Sequence, residues 1–120
     1  MAALSSFDLV TIDSPDPGRL AMFWCAALGL VETEREGGDR WIVLSSVDGA
    51  RRLGIQRGTQ RTGGIHLDLT CSILDFESEG RRLAHLGASE IGSARVEPYG
   101  MIANLADPDG NPFDLCAYQA

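Results

Sequence analysis

The sequence repeats a short pattern at about half its length, and this repeat limits the folds open to the chain. Leu28-Gly29 and Leu86-Gly87 lie 58 residues apart, from 28 to 86, and each pair ends a segment with helical periodicity. A strand-like run precedes each segment, Phe7–Ile12 in the first half and Ile65–Thr70 in the second. Two copies of a unit are too few for a solenoid. The repeat therefore predicts an α+β fold in which one domain, 1–120, contains two β-α-β-β-β modules at about 5–58 and 64–118.

The C-terminal segment 107–115 combines a turn with a strand that carries a carboxylate. Pro108, Asp109 and Gly110 offer a preset φ, an Asx-type side chain and a position with φ > 0, so the chain should reverse at Asp109-Gly110. Asp114 then alternates with Phe113 and Leu115, which places an acid on one face of the returning strand and apolar side chains on the other. Solvation alone is a poor explanation for such an acid, and Asp114 is the strongest single candidate for a site residue.

The remaining elements follow from local patterns. Asp48-Gly49 predicts a hairpin between strands, while an acid that ends the first strand, Asp13, reads as a turn former. The predicted elements are strands at Arg40–Ser45, Arg52–Arg57 and Met101–Ala106, a helix at Asp75–Leu86, a linker at Gly58–Gly64 and an irregular link at Val96–Gly100.

The first helix is unusually apolar, and this property bears on assembly. Asp16 at the N-cap and Pro17 at the first helical position fix where the helix begins. Met22 and Trp24 cannot both lie on the stripe that packs against a sheet, so apolar surface should remain after the single chain folds. We expect a homodimer whose interface includes part of Leu20–Val31; a helix simply sunk between sheet and termini is the alternative.

Composition excludes several classes of partner. The chain has 120 residues, a net charge of −7 and only ten Lys and Arg. It therefore lacks the basic stripe with which proteins bind nucleic acids and anionic membranes. Three cysteines without Cys-x-x-Cys spacing fit reduced thiols. The longest apolar run is too short to span a bilayer and the N-terminus does not read as a secretory leader, so we expect a cytoplasmic protein.

Taken together, the motifs resemble those of the vicinal oxygen chelate superfamily, which includes the glyoxalase-like and bleomycin-resistance-like proteins. The resemblance covers nearly the whole chain and is far more specific to the fold than to a reaction. The motifs that carry it are Asp16-Pro17, Leu20–Trp24 and Leu28-Gly29 in the first half, and Ile65–Leu69, Leu86–Ala88 and Asp107–Phe113 in the second.

The resemblance implies a cupped mixed sheet, the glyoxalase/bleomycin resistance/dioxygenase fold, whose concave face holds a divalent metal in the catalytic members. The family's metal ligands map onto His66, Asp114 and Gln56 in this sequence. The first-strand ligand falls on Leu9 when it is counted back from Asp16, or on Asp8 when the 58-residue offset is applied to His66. Leucine cannot bind a metal, so the implied set is incomplete if Leu9 holds that position.

Two functions are therefore compatible with the sequence. The first is a small-molecule binding protein with a degenerate metal site and no tightly held cofactor, in which Trp41, Asp68, Tyr99 and Met101 contact the ligand. The second is a divalent-metal-dependent lyase, isomerase or dioxygenase of the vicinal oxygen chelate type. The incomplete ligand set favours the first. Asp68, two residues after His66 on a predicted strand, could instead orient the imidazole, and the aromatic and Met side chains could belong to the core.

Overall fold

A computed structural model describes residues 3–4, 7–61 and 66–119 of the chain. Contacts divide it into two compact units, Met1–Gln60 and Arg61–Ala120. The α+β class predicted from the sequence is confirmed, since each unit combines one α-helix with one mixed sheet. The proposed module boundaries stay a prediction, and Ser5 and Gly64 lie outside the described residues. Along the described part of the chain, no helix is long and apolar enough to cross a membrane.

The first unit has the order β-α-β-β-β. Its four-stranded sheet has the order β1-β4-β3-β2, in which β1 and β4 are parallel and the other neighbours are antiparallel. Its elements are β1 (Val10–Ser14), α1 (Pro17–Leu28), β2 (Val31–Glu36), β3 (Trp41–Ser45) and β4 (Arg52–Arg57).

The second unit repeats this plan, but two short strands, β6 and β7, both pair with β8. Its sheet has the order β5-β9-β8-β6, again with one parallel pair, β5 and β9. Its elements are β5 (Leu67–Thr70), a 3₁₀ turn (Ile73–Asp75), α2 (Phe76–Leu86), β6 (Ser89–Glu90), β7 (Arg95–Glu97), β8 (Gly100–Ala106) and β9 (Pro112–Tyr118).

Helix α1 begins and ends where its capping residues predict. Asp16 Oδ1 accepts a hydrogen bond from the Arg19 N–H at 3.3 Å, and Pro17 is the first helical residue. The helix ends at Leu28 because Gly29 adopts φ 67°, a left-handed conformation that glycine reaches at little cost. Side chains of α1 then form the core of the first unit, all at most 5% exposed: Leu20, Ala21, Phe23, Trp24 and Ala27.

The predicted turn before β9 is present and is held by a buried acid. Asp107 is 3% exposed, and its Oδ1 accepts hydrogen bonds from the N–H groups of Asp109, at 3.0 Å, and Asn111, at 2.9 Å. Gly110 has φ 85°, which supplies the positive φ that the turn requires. This turn sets the start of β9 and so the register of Asp114.

Several local predictions were wrong in detail. The first strand is Val10–Ser14, where Phe7–Ile12 was predicted, because its pairing with β4 begins at Val10 and continues to Ser14. Asp13 is therefore a strand residue, not a turn former. Arg95–Glu97 forms β7, where an irregular link was expected from residue 96. Strand β2 was not located from the sequence, because its six residues are all exposed and mostly charged. Ile65 and linker residues 62–64 lie outside the described residues.

Candidate functional site

The side of the second sheet that faces away from α2 carries the candidate site residues Asp68 and Asp114. Ala103, Leu105 and Leu115 line a cavity of about 250 Å³ together with α2, so their side chains lie on the helix side. Alternation along β8 and β9 then places Asn104 and Asp114 on the opposite side, which we call the open face. Asp68 lies directly across from Asp114 in the parallel pair of β5 and β9, and is therefore on the open face as well.

Three side chains meet on this open face. The Nε2 atom of His66 lies 3.3 Å from Asp68 Oδ1 and 3.4 Å from Asp114 Oδ2. His66 precedes β5 and is two residues from Asp68, so the strand period brings both side chains to one side. The side chain of Asp114 is 18% exposed, against 49% for His66 and 60% for Asp68. Asp114 is thus the most enclosed member of the cluster.

A second row of polar side chains supports Asp114. Asn104 Nδ2 donates to Asp114 Oδ1 at 2.6 Å, and the guanidinium of Arg95 donates to Asn104 Oδ1 at 2.6 Å. The Arg95 Nε–H also donates to Glu97 Oε1 at 3.1 Å. Sequence reasoning missed Asn104 and Arg95. A polar residue inside the apolar run Met101–Ala106 was a usable signal for Asn104, whereas Arg95 has no local signal.

Two of the predicted site residues, Gln56 and Trp41, lie across from each other in the sheet of the first unit. Gln56 lies across from Asp13 in the β1–β4 pair and from Trp41 in the β3–β4 pair, and its Nε2 donates to Asp13 Oδ1 at 3.2 Å. Trp41 is half-buried. A side chain that the resemblance implies as a metal ligand, Gln56, is therefore engaged with a carboxylate of its own sheet.

Asp8 and Leu9, the two candidates for the first-strand ligand, both precede β1. The carboxylate of Asp8 forms an ion pair with Arg52. The strand period, continued back from Asp13 through Thr11, reaches Leu9. On this period Leu9 rather than Asp8 is in phase with Asp13, and its side chain offers no donor atom; which of the two holds the first-strand ligand position stays a prediction.

The two other predicted ligand contacts of this unit differ in position: Tyr99 packs against Tyr118, which is in phase with Asp114 on β9, whereas Met101 lies on the helix side of the sheet. Tyr99 lies in the turn before β8, where its ring centroid is 5.8 Å from that of Tyr118. Met101 lies across from Ala117 and is two residues before Ala103. Because alternate residues of a strand share a side, its side chain lies on the helix side of the sheet. Met101 therefore does not share the open face with Asp114.

The cysteines do not provide a nucleophile for this site. Burial raises the pKa of the Cys25 and Cys71 thiols, and nearby acids, Glu32 for Cys25 and Glu79 for Cys71, raise it further. Cys116 is a free thiol and is buried. A thiol with a raised pKa is mostly protonated at neutral pH and is a poor nucleophile.

The cluster fits a divalent metal in donor type and spacing. One imidazole nitrogen and one oxygen from each of Asp68 and Asp114 all lie within 4.8 Å of one another. Ligand distances of about 2.0–2.2 Å for nitrogen and oxygen donors place two ligands of one ion up to about 4.4 Å apart. Small side-chain movements would therefore let these three atoms coordinate one ion, and imidazole with carboxylate suits Mn²⁺, Fe²⁺ or Zn²⁺.

Comparison with solved structures shows the same fold at low sequence identity. A glyoxalase/bleomycin resistance protein/dioxygenase family enzyme from Burkholderia phytofirmans PsJN superposes with a TM-score of 0.81 at 17% identity, covering 96% of this chain and 100% of the other. A glyoxalase-related enzyme from Fulvimarina pelagi has a TM-score of 0.77 at 20% identity, covering 95% and 88%.

A third similar structure holds a metal and a small molecule. It is a variant of the fosfomycin resistance protein FosX from Listeria monocytogenes, complexed with Mn(II) and 1S,2S-dihydroxypropylphosphonic acid. Its TM-score is 0.79 at 16% identity, and the alignment covers 98% of this chain and 93% of the other.

Sequence comparison identifies the family. No curated protein sequence matches the chain. The family model described as the glyoxalase-like domain matches residues 9–116, which is most of the sequence. The chain has the glyoxalase/bleomycin resistance fold, and it belongs to the glyoxalase-like domain family.

Proposed function

We propose that the chain binds a small, oxygen-bearing organic molecule through a divalent cation held by His66, Asp68 and Asp114. The observation that carries the proposal is the convergence of one imidazole nitrogen and two carboxylates on the open face of the second sheet. Asp68 supplies a carboxylate oxygen as the third donor, in addition to His66 and Asp114, without any contribution from Gln56 or the first strand.

Each residue has a role that follows from its environment. Asp114, the most enclosed of the three, provides a fixed oxygen, whereas Asp68 is more exposed and free to adjust to the ion. With three side chains bound to it, the cation would keep coordination positions for oxygen atoms of the small molecule. A bound divalent cation would polarise such oxygens and stabilise negative charge that develops on them. The Mn(II) and dihydroxypropylphosphonic acid present with FosX support this class of ligand, a small molecule with adjacent oxygens.

A metal-free binding protein is the second candidate, and the position of His66 favours it. Nε2 of His66 lies 3.3 Å from Asp68 Oδ1 and 3.4 Å from Asp114 Oδ2, so the imidazole already contacts both carboxylates without a cation. Leu9 adds no ligand from the first strand. In this case the small molecule would be bound through contacts of the second unit such as those of Tyr99 and Asp68, while Trp41, in the first unit, stays a separate predicted contact.

Titration with Mn²⁺ distinguishes the two functions. The amount of free Mn²⁺, followed by electron paramagnetic resonance, should fall as wild-type protein is added. His66→Gln replaces the imidazole nitrogen by a weaker, neutral amide oxygen and should weaken the affinity by at least about tenfold. His85→Gln is the matched control, because His85 is the second histidine of the chain and lies in the last turn of α2. Its affinity should equal that of the wild type.

The Mn²⁺ titration decides between the metal-bound and the metal-free function. Wild-type protein that leaves all Mn²⁺ free at millimolar concentration would contradict the metal-bound function and favour the metal-free one. Mn²⁺ binding that His66→Gln leaves unchanged would place the cation elsewhere. In a positive result, 1S,2S-dihydroxypropylphosphonic acid is a suitable probe, since a ligand that chelates the cation should bind only in its presence.

We also propose that the chain forms a homodimer through part of Leu20–Val31. Met22, Leu28 and Val31 are 75%, 40% and 52% exposed in the single chain, which supports an apolar surface along α1 and the start of β2. Trp24 is 1% exposed and belongs to the core of the first unit. It is therefore not available for such an interface.

A further inference from the structure

We infer that Asn104 is a positioning residue that determines which oxygen of Asp114 is presented to a bound cation. The inference rests on the proposed function, because it concerns the same carboxylate. Asn104 is not among the residues that the family resemblance implies. It is identified by its place in the register of β8 and β9 and by its two hydrogen bonds.

The backbone brings the two side chains together. Asn104 on β8 and Asp114 on β9 are directly opposite each other in an antiparallel pair, and both side chains lie on the open face. Side chains at directly opposed positions are close enough to contact each other. Asn104 Nδ2 donates to Asp114 Oδ1 at 2.6 Å, a short bond strengthened by the charge of the acceptor.

Arg95 fixes the orientation of the Asn104 amide. A guanidinium group only donates hydrogen bonds, and a carboxylate only accepts them. The amide oxygen must therefore face Arg95, at 2.6 Å, and the NH₂ group must face Asp114. Arg95 is itself held by the pairing of β7 with β8, across from Ile102, and by its bond to Glu97. A flipped amide would bring two donors together and two acceptors together.

The consequence for Asp114 is that its two oxygens become different. Oδ1 is engaged by Asn104, while Oδ2 lies 3.4 Å from His66 Nε2, on the side where Asp68 also meets the imidazole. Oδ2 is therefore the Asp114 oxygen that faces His66 and Asp68 and would be presented to a cation held there. Residues that hydrogen-bond a metal ligand keep it in the coordinating geometry, and losing one typically costs 10–100-fold in metal affinity.

The test replaces Asn104 by a side chain of similar size that cannot hydrogen-bond. Asn104→Leu should weaken Mn²⁺ binding by about 10–100-fold. In the Asp114→Asn background the same change should have little further effect, because Asn104 acts through Asp114. A purely structural role would instead lower the melting temperature and weaken binding equally in both backgrounds. Asn104→Leu protein that binds Mn²⁺ as tightly as the wild type would overturn the inference and leave the proposed function intact.

A measurement on metal-free protein keeps the two hypotheses separable if the wild type does not bind Mn²⁺. The Asn104 side-chain amide signals in a ¹H–¹⁵N spectrum should shift in both Arg95→Gln and Asp114→Asn. They should not shift in Asp109→Asn, a control acid in the turn before β9. Amide signals that are insensitive to Arg95→Gln and Asp114→Asn would show that the network does not form, and would refute the positioning role independently of the metal.

Discussion

The indole ring of Trp41 lies directly over the backbone of Gly54, so close that a Cβ added to Gly54 would be 2.6 Å from Cη2 of Trp41 and 3.0 Å from Oγ1 of Thr11. The two residues lie on adjacent strands, β3 and β4, where Gly54 is diagonal to Trp41. A glycine in a strand often marks such a close approach. Gly54 therefore determines where the Trp41 ring lies on the face that also carries Gln56.

Gly54→Ala should displace the Trp41 ring and cost about 1–3 kcal/mol of unfolding free energy, because the neighbouring side chains must move. Trp24, the second tryptophan, is 1% exposed, so acrylamide quenching reports mainly on Trp41 and should increase. Gly58→Ala is the control, since its Cβ would be 3.4 Å from Asp13, an ordinary contact. Equal quenching in the two variants would contradict this account of Trp41.

Two glycines of the second unit should respond to alanine in opposite directions. A Cβ at Gly100, where φ is 145°, would be 2.0 Å from the backbone oxygen of Ala117. Gly100→Ala should therefore lower the free energy of unfolding by more than about 2 kcal/mol. Gly80 lies inside α2 and a Cβ there meets nothing within 4 Å. Gly80→Ala should raise the free energy of unfolding by about 0.5–1 kcal/mol, because alanine is the better helix former. Urea denaturation of both variants checks the pair.

The sequence predicted most reliably what short-range chemistry decides. The two ends of α1 are set by capping and backbone conformation at Asp16, Pro17 and Gly29, and these effects act within a few residues. The turn at Asp109-Gly110 was predictable for the same reason, since Asp107 bonds N–H groups only two and four residues ahead.

What could not be predicted depends on register between distant strands. Arg95 reaches Asn104 only because β7 pairs with β8, and Asn104 reaches Asp114 only because β8 and β9 are in one particular register. A shift of one residue would move Asn104 to the helix side. The side on which Met101 lies is decided by the same register, which is why its predicted role as a ligand contact is not supported by its position.

The ion pair between Glu79 and Arg82 should make stability depend on pH. Arg82 donates to both carboxylate oxygens, at 2.6 and 2.7 Å, and this hydrogen bonding lowers the pKa of Glu79 in the folded state. A lowered folded pKa means that the stabilisation is present above the unfolded value, about 4.3, and is lost as pH falls through the folded pKa.

Glu79→Gln should therefore lower the unfolding free energy at pH 7 by about 0.3–0.5 kcal/mol, the usual size for a helix pair of this kind. The difference from the wild type should shrink as the pH is lowered below about 4, in denaturation series at several pH values. In the Arg82→Gln background, Glu79→Gln should have little effect at any pH. A difference that persists in strong acid would show another cause.

Assembly can be tested at Met22, which is 75% exposed on α1. If the apolar surface of Met22, Leu28 and Val31 forms the proposed two-fold interface, Met22→Glu would bury two charges near each other and should convert a dimer to a monomer near 12.9 kDa in sedimentation velocity. Leu74→Glu is the control, because Leu74 is 94% exposed and lies in the second unit, outside Leu20–Val31. A wild type that is monomeric at micromolar concentration would contradict the proposal at once.

Gln56 separates the ligand set implied by the family resemblance from the one built on the second sheet. In the structure its amide donates to Asp13, at 3.2 Å, and three donors are already available from His66, Asp68 and Asp114. Gln56→Ala should therefore leave Mn²⁺ affinity within about twofold of the wild type, while Asp68→Asn should reduce it by about tenfold or more, as expected for loss of a ligand. The reverse result would be a much lower Mn²⁺ affinity for Gln56→Ala and an unchanged affinity for Asp68→Asn. It would assign the cation to the ligands that the family resemblance implies and leave Asp68 the role of orienting His66.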